Sequence, residues 1–153
     1  EHAPQNPDVQ YLLGSLEANQ NNSAAAKEHY QRAISLYPTH EHALLDLGEM
    51  QLRENHTAEA AATLERAVQA NTLSFRAQFY LAQAYLRQQN FTGAEQRARK
   101  AVELGAAKQP TALVLLGKIL ASENQRPAAR QQYELVLHQF MKRCIWKPIC
   151  AIR

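Results

Sequence analysis

A leucine followed by a small residue recurs along this 153-residue chain at separations of 34, 34 and 35 residues. The four pairs are Leu13-Gly14, Leu47-Gly48, Leu81-Ala82 and Leu116-Gly117. A series of alanines repeats with the same steps, at Ala26, Ala60, Ala94 and Ala129. Such a period indicates copies of one supersecondary unit, each of which buries its apolar face against its neighbours.

One unit, residues 41–72, shows the local structure that the repeat encodes. Apolar residues fall mostly at separations of three and four in both halves of the unit, which predicts two helices. Asn55 and His56 interrupt the pattern, and Thr57 is expected to cap the second helix. Because Gly48 has no side chain, it lets the two antiparallel helices approach closely. The spacing therefore predicts a helical hairpin.

The pattern resembles the tetratricopeptide repeat family, whose units are 34 residues long and carry Leu-Gly, Ala and Pro at fixed positions. The resemblance covers roughly residues 7–140. It implies an all-α fold, a right-handed superhelical stack of about four helix-turn-helix hairpins, with units at about 7–40, 41–74, 75–109 and 110–140. The sequence departs from the family pattern in places, since Pro38 is the only closing proline and Tyr85 the only tyrosine late in a first helix.

The two ends of the chain do not match the repeat. Residues 1–7 are expected to form a flexible lead-in, after which Asp8 and Ser23 are expected to cap the first two helices. Residues 141–153 form an atypical basic tail. Its Ile145, Trp146 and Ile149 are one candidate for a partial cap on the last unit. The alternatives are a disordered extension and foreign sequence.

The distribution of charge argues against nucleic acid as a partner. Residues 1–140 carry 13 Lys and Arg against 14 Asp and Glu, so the net charge of +3 comes from the four basic residues of the tail. Binding a duplex requires a basic face on the folded body. We therefore expect no nucleic-acid partner.

Other functional classes leave little trace in the sequence. No apolar run is long enough to cross a bilayer, so we expect no transmembrane segment and a soluble chain, cytoplasmic or periplasmic, with the compartment undecided. His40 and His42 are expected at the surface, and no metal site or cofactor is predicted. No nucleophile with a base at suggestive spacing is present, so we predict that the protein is not an enzyme.

The resemblance implies that the first helices of the units line a concave groove that binds other polypeptides. Carrying over the family's groove positions predicts these partner-binding residues: Tyr11, His42, Leu45, Asp46, Glu49, Arg76, Phe79, Tyr80, Gln83, Arg87, Val114 and Lys118. The third unit contributes the largest number of these residues, five in all. There, Arg76 and Arg87 flank two aromatic residues and could receive a peptide carboxylate through paired N–H donors.

The family's carboxylate clamp is not expected in this chain. Its five positions hold Tyr11, Ser15, Asp46, Arg76 and Tyr80, so only Arg76 retains the positive charge. The sequence therefore predicts a groove that is not a chaperone-tail receptor of that kind.

The leading hypothesis is a non-catalytic scaffold that binds a peptide or helix of a partner protein in its groove. The alternative is an accessory domain of a larger multidomain protein, such as one of a bacterial envelope or pilus-assembly system. The chain begins at Glu1 without an initiator Met, which is consistent with a processed or excised fragment. Exposed apolar ends of the array could also drive self-association.

Overall fold

The computed structural model describes residues 5–105 and 109–145, and every regular element within these ranges is an α-helix. The helices are α1 (Pro7–Asn19), α2 (Ser23–Leu36), α3 (Glu41–Arg53), α4 (Thr57–Ala70), α5 (Phe75–Arg87), α6 (Phe91–Gly105), α7 (Pro110–Ser122) and α8 (Arg126–Ile145). The predicted all-α stack of helical repeats is confirmed. Trp146 and Ile149, predicted as part of a terminal cap, lie outside the described residues.

The helices pair in chain order and then stack. Each hairpin packs α1 on α2, α3 on α4, α5 on α6 and α7 on α8, and the second helix of each unit packs on the first helix of the next. The first helices α3, α5 and α7 also contact each other, whereas no two second helices are substantially in contact within the described ranges. The stack therefore curves with the first helices on its inner side.

The recurring small residues set the distance between the two helices of a unit. A methyl group added to Gly14, Gly48 or Gly117 would lie 2.6–2.7 Å from the nearest atom of the partner side chain. These partners are Tyr30, Leu64 and Tyr133, at equivalent positions of the repeat. In the third unit the pair is Ala82 and Ala98, both fully buried. In this unit the residue at the glycine position is larger and its partner is smaller, so the volume packed between the two helices is roughly conserved.

All four hairpin turns share one backbone conformation that the sequence pattern did not reveal. The residue after the helix C-cap has a positive φ of 60–65° in every unit, and these residues are Asn21, Asn55, Gln89 and Asn124. The next amide N–H donates to the carbonyl five residues back, as in the bond from His56 N to Gln51 O at 2.9 Å. This is the Schellman ending, which satisfies the last carbonyls of a helix.

The predicted capping residues are wrong in three of the helices. Asp8, Ser23 and Thr57 all lie inside their helices, one of them at the second position and two at the first. The side chain of Asn6 caps α1 instead, since its Oδ1 accepts from the N–H of Asp8 at 2.8 Å. At α2 and α4 no side-chain oxygen caps the helix, whereas at α6 Oδ1 of Asn90 accepts from the N–H of Gly93 at 3.1 Å.

The N-terminus of α3 is capped by a histidine. His40 was expected at the surface and is buried. Its Nδ1 accepts from the N–H of Ala43 at 3.2 Å, and its Nε2 lies 3.1 Å from Oδ1 of Asp8. An Nδ1 that accepts leaves the proton on Nε2, which then donates to Asp8. His40 therefore joins the first two units as well as capping a helix.

Candidate functional site

The inner side of the stack carries a network of polar side chains from three units. The hydroxyl of Tyr11 in α1 donates to Oδ2 of Asp46 in α3 at 3.2 Å. Nη2 of Arg76 in α5 donates to Oδ1 of Asp46 at 2.9 Å and to Oε2 of Glu49 at 3.1 Å. These hydrogen bonds connect three consecutive first helices, α1, α3 and α5.

Two further side chains complete this network, one from α3 and one from α5. Nη2 of Arg53 donates to Oε1 of Glu49 at 2.6 Å, and the hydroxyl of Tyr80 is hydrogen-bonded to Glu49. The guanidinium carbon of Arg76 lies 5.8 Å from the ring centroid of Tyr80, within cation–π distance. We call Tyr11, Asp46, Glu49, Arg53, Arg76 and Tyr80 the polar network. Its two carboxylates and two guanidinium groups balance.

Burial and pairing shift the pKa values of the network. Burial alone raises the pKa of Glu49, but the hydrogen bond from Tyr80 and the charges of Arg53 and Arg76 outweigh it and lower that pKa below its usual value. Burial also raises the pKa of Tyr80, and the neighbouring Glu49 raises it further. The pKa of Tyr11 is raised by burial and by Asp46. Glu49 therefore stays ionised, and the phenols of Tyr11 and Tyr80 stay neutral, at physiological pH.

The polar network borders an open pocket of about 290 Å³ on the inner side. The pocket is lined by Ser15, Ala18, Asn19, Tyr30, Asp46, Glu49, Met50, Arg53 and Arg76. Hydroxyl, amide, carboxylate and guanidinium groups all face the same space. Such a lining can hydrogen-bond to the main chain or to polar side chains of a peptide.

A second, apolar cleft of about 290 Å³ lies between α5, α7 and α8. It is lined by Phe79, Gln83, Pro110, Thr111, Val114, Leu115, Lys118, Val136 and Phe140. Phe79 is held in place by stacking on Phe75, with ring centroids 5.7 Å apart, and by an edge contact with Tyr80 at 5.6 Å. Lys118 is exposed and forms no ion pair with any residue of the described ranges. The cleft thus combines apolar walls with one positive charge.

The structure brings most of the predicted groove residues to these two places. Tyr11, Asp46, Glu49, Arg76 and Tyr80 belong to the polar network, and Phe79, Gln83, Val114 and Lys118 line the apolar cleft. His42 is exposed beside Tyr11, with ring centroids 5.7 Å apart. Whether these residues contact a partner stays a prediction.

Two expectations about this surface need correction. Leu45 is 2% exposed and packs in the core, so it has no surface to offer a partner. The two arginines expected to receive a carboxylate are engaged within the chain. Arg76 bonds Asp46 and Glu49, and Arg87 donates to the carbonyl of Leu52. A third carboxylate would meet a guanidinium that two others already neutralise.

The sequence pattern missed the contribution of the second helices to the site. Tyr30 lines the polar pocket, and Val136 and Phe140 line the apolar cleft, although all three belong to second helices. The family's groove positions lie on first helices only, so they could not indicate these residues. Within residues 5–105 and 109–145, no group of three or more His, Cys, Asp or Glu side chains is placed to hold a metal ion. None of the helices described is both long and apolar enough to span a membrane.

The family of this chain follows from its match to a sequence profile. The sequence profile of the tetratricopeptide repeat matches four overlapping stretches, residues 1–41, 11–72, 45–109 and 81–142. The chain belongs to the tetratricopeptide repeat family. Proteins of this family are generally non-catalytic interaction scaffolds. A comparison with curated protein sequences gives no match.

Solved structures with the same fold include several bacterial tetratricopeptide repeat (TPR) proteins. MamA from Desulfovibrio magneticus RS-1 has a TM-score of 0.83 at 22% identity, over 90% of this chain and 77% of MamA. YrrB, described as a TPR protein with an unusual peptide-binding site, has a TM-score of 0.80 at 21% identity, over 88% of this chain and 69% of YrrB. PilF from Pseudomonas aeruginosa has a TM-score of 0.79 at 22% identity, over 89% of this chain and 62% of PilF. At these identities the likeness concerns the fold.

Proposed function

We propose that this TPR array is a non-catalytic scaffold that binds a segment of a partner protein along the inner side of its first helices. The observation that carries the proposal is the polar network and the apolar cleft on one curved surface, each with about 290 Å³ of open space. A peptide that crosses from one to the other gains hydrogen bonds at the first and apolar burial at the second. YrrB, which shares the fold, is described as having a peptide-binding site.

The polar network favours uncharged hydrogen-bonding groups over a carboxylate. Asp46 and Glu49 offer acceptors, the exposed guanidinium of Arg53 offers further N–H donors, and the charges balance. A main-chain segment presents both donors and acceptors without net charge, so it matches this lining. An isolated acidic group would compete with two carboxylates that already hold Arg76.

The apolar cleft favours a large apolar side chain next to an acidic one. Phe79, Val114 and Phe140 supply the walls, and Lys118 supplies a positive charge without a carboxylate partner among the described residues. Burying one Leu- or Phe-sized side chain contributes about 1.5–3 kcal/mol. The partner segment is therefore expected to carry an apolar anchor flanked by Asp or Glu.

The test is selection from a random peptide library on the immobilised chain, followed by affinity measurement with purified variants. Arg76→Glu and Tyr80→Ala remove the centre of the polar network, and each should weaken the selected peptides about tenfold, the effect of roughly 1.4 kcal/mol. Lys118→Glu should weaken the binding of peptides that carry Asp or Glu beside the apolar anchor. Arg32→Glu is the matched control, because Arg32 also forms an exposed ion pair but lies on α2.

Peptides that bind all four variants as tightly as the unaltered chain would reject the proposed surface. Loss of binding in Arg32→Glu alone would place the site on the second helices. Circular dichroism of each variant separates loss of binding from loss of fold.

A further inference from the structure

The last helix, α8, exposes apolar side chains at positions that are covered in the preceding units. Leu137 is 61% exposed, whereas its counterparts in the repeat, Ile34 and Val68, are 8% and 6% exposed. Tyr133 is 37% exposed, whereas its counterpart Tyr30 is 2% exposed. The internal positions are covered by the next unit. In α8 no residue of the described ranges lies in that place.

These residues form one stripe along α8. Tyr133, Leu137, Phe140 and Met141 follow each other at separations of four, three and one, which places them on the same side of a helix. We call this stripe the trailing face. All four side chains are exposed. A stripe of this kind on a helix is the face that packs against another helix.

The first helix, α1, shows the complementary feature. Leu16 is 53% exposed, whereas its counterparts Ala84 and Ile119 are fully buried. Leu12 is also exposed, but it shares its repeat position with Asp46 and Tyr80 of the polar network, so it belongs to the inner side. We call the side of α1 that carries Leu16 the leading face. Within the described residues, no other helix packs on this face of α1.

The two faces are the open halves of an interface that already occurs three times inside the chain. The second helix of one unit packs on the first helix of the next between α2 and α3, between α4 and α5, and between α6 and α7. The trailing face belongs to a second helix and the leading face to a first helix. Joining them would continue the same packing.

The charges of the two helices favour the same pairing. α1 carries Asp8 and Glu17 and no basic residue. α8 carries four basic residues and one acidic one, Arg126, Arg130, Lys142 and Arg143 against Glu134. Opposite net charges steer two surfaces together and disfavour contacts between two copies of the same face.

We propose that the trailing face of α8 binds the leading face of α1 from a second copy of this chain, head to tail. The contact uses two different surfaces, so it adds copies in one direction and need not stop at a dimer. It leaves the polar network on the inner side free, but it shares Phe140 with the apolar cleft. The proposal does not depend on peptide binding there.

Sedimentation velocity on the full chain tests this arrangement. The weight-average mass of the unaltered protein should rise at least twofold between roughly 1 µM and 1 mM, the range of weak interfaces. Leu137→Glu and Leu16→Glu should each remain monomeric, because each loses one half of the interface. An equimolar mixture of the two variants should form dimers and nothing larger, since only one intact pair of faces remains.

Leu73→Glu is the matched control, because Leu73 is equally exposed but lies between α4 and α5. It should associate like the unaltered chain, and circular dichroism should show the same helix content for all variants. An unaltered chain that stays monomeric throughout overturns the proposal, as does a mixture that fails to dimerise. A melting temperature of Leu137→Glu below that of the unaltered chain at about 1 µM, where both are monomeric, also overturns it, because a segment of the same chain would then cover the trailing face.

Discussion

At the scale of single residues, the distance between paired helices depends on one missing side chain. A Cβ at position 48 would lie 2.6 Å from Cγ of Leu64, which is fully buried and has no room to move aside. The leucine–glycine spacing in the sequence indicated this close approach. The identity of the opposing residue also followed from the repeat, because Tyr30, Leu64 and Tyr133 share one position.

Gly48→Ala should therefore destabilise the array despite the better helix propensity of alanine. Overpacking costs about 1–3 kcal/mol and the propensity gain is at most about 1 kcal/mol, so we expect a net loss of about 1 kcal/mol in the free energy of unfolding. Urea denaturation measures it. Gly93→Ala is the control, since a Cβ there would lie 2.9 Å from the end of the exposed Asn90 side chain, which can move aside. Equal losses in both variants would contradict close packing at Gly48.

The lowered pKa of Glu49 predicts a dependence of stability on pH. The folded state holds the Glu49 charge to lower pH than the unfolded state, so the contribution to stability is full above the unfolded pKa of about 4.3. It is lost as the pH falls through the folded pKa. The free energy of unfolding should therefore fall between about pH 5 and 3, and Glu49→Gln should flatten this fall.

Glu28→Gln is the control for that titration, because its ion pair with Arg32 is exposed and screened by solvent. A Glu49→Gln variant whose stability falls as steeply as that of the unaltered chain would contradict the role assigned to the polar network.

At the scale of helices and turns, sequence periodicity predicted the elements better than their ends. The predicted fourth unit ends at about residue 140, whereas α8 continues to Ile145. Ser23 and Thr57 have good capping side chains, but the left-handed residue two positions earlier already fixes the chain path. The apolar periodicity does not contain this turn geometry, although Asn at three of the four equivalent turns is typical of it.

The third turn is the one whose residue fits its conformation least well. Gln89 has a φ of 61°, where the other units place Asn. A side chain with Cβ costs about 1–2 kcal/mol in this region, and Asn less than most. Gln89→Gly should raise the free energy of unfolding by about 0.5–1 kcal/mol, measured by urea denaturation. Asn55→Gly should change it less, and a larger gain there would contradict this explanation.

The cap on α3 predicts a contrast between two equivalent positions. His40→Ala removes the bond to the Ala43 amide and the contact with Asp8, so we expect a loss of about 0.5–2 kcal/mol in stability. Ser74 occupies the next equivalent cap, but its oxygen lies 3.5 Å from the Ala77 nitrogen and bonds weakly. Ser74→Ala should cost less in a thermal melt. The reverse order would show that burial of His40 does not reflect capping.

At the scale of the whole molecule, the sequence predicted the stack and the side on which the site is proposed, but not its chemistry. The period of 34 residues places Asp46 and Arg76 on neighbouring helices, yet their ion pair depends on a contact across 30 residues. Leu45 was expected on the surface because the prediction used only its position within the repeat unit. In the assembled stack Leu45 packs in a core cluster formed by residues of the first three units.

The central claim is that the inner side of the first helices, and not the outer side of the second helices, binds the partner. Its most direct test places a photo-crosslinking benzoylphenylalanine at Tyr80 on α5 or, in a matched variant, at the exposed Gln96 on α6. Each variant is irradiated with a peptide selected on the unaltered chain. Binding along the inner side predicts a covalent adduct from position 80 and none from position 96. An adduct from position 96 with none from position 80 would contradict it.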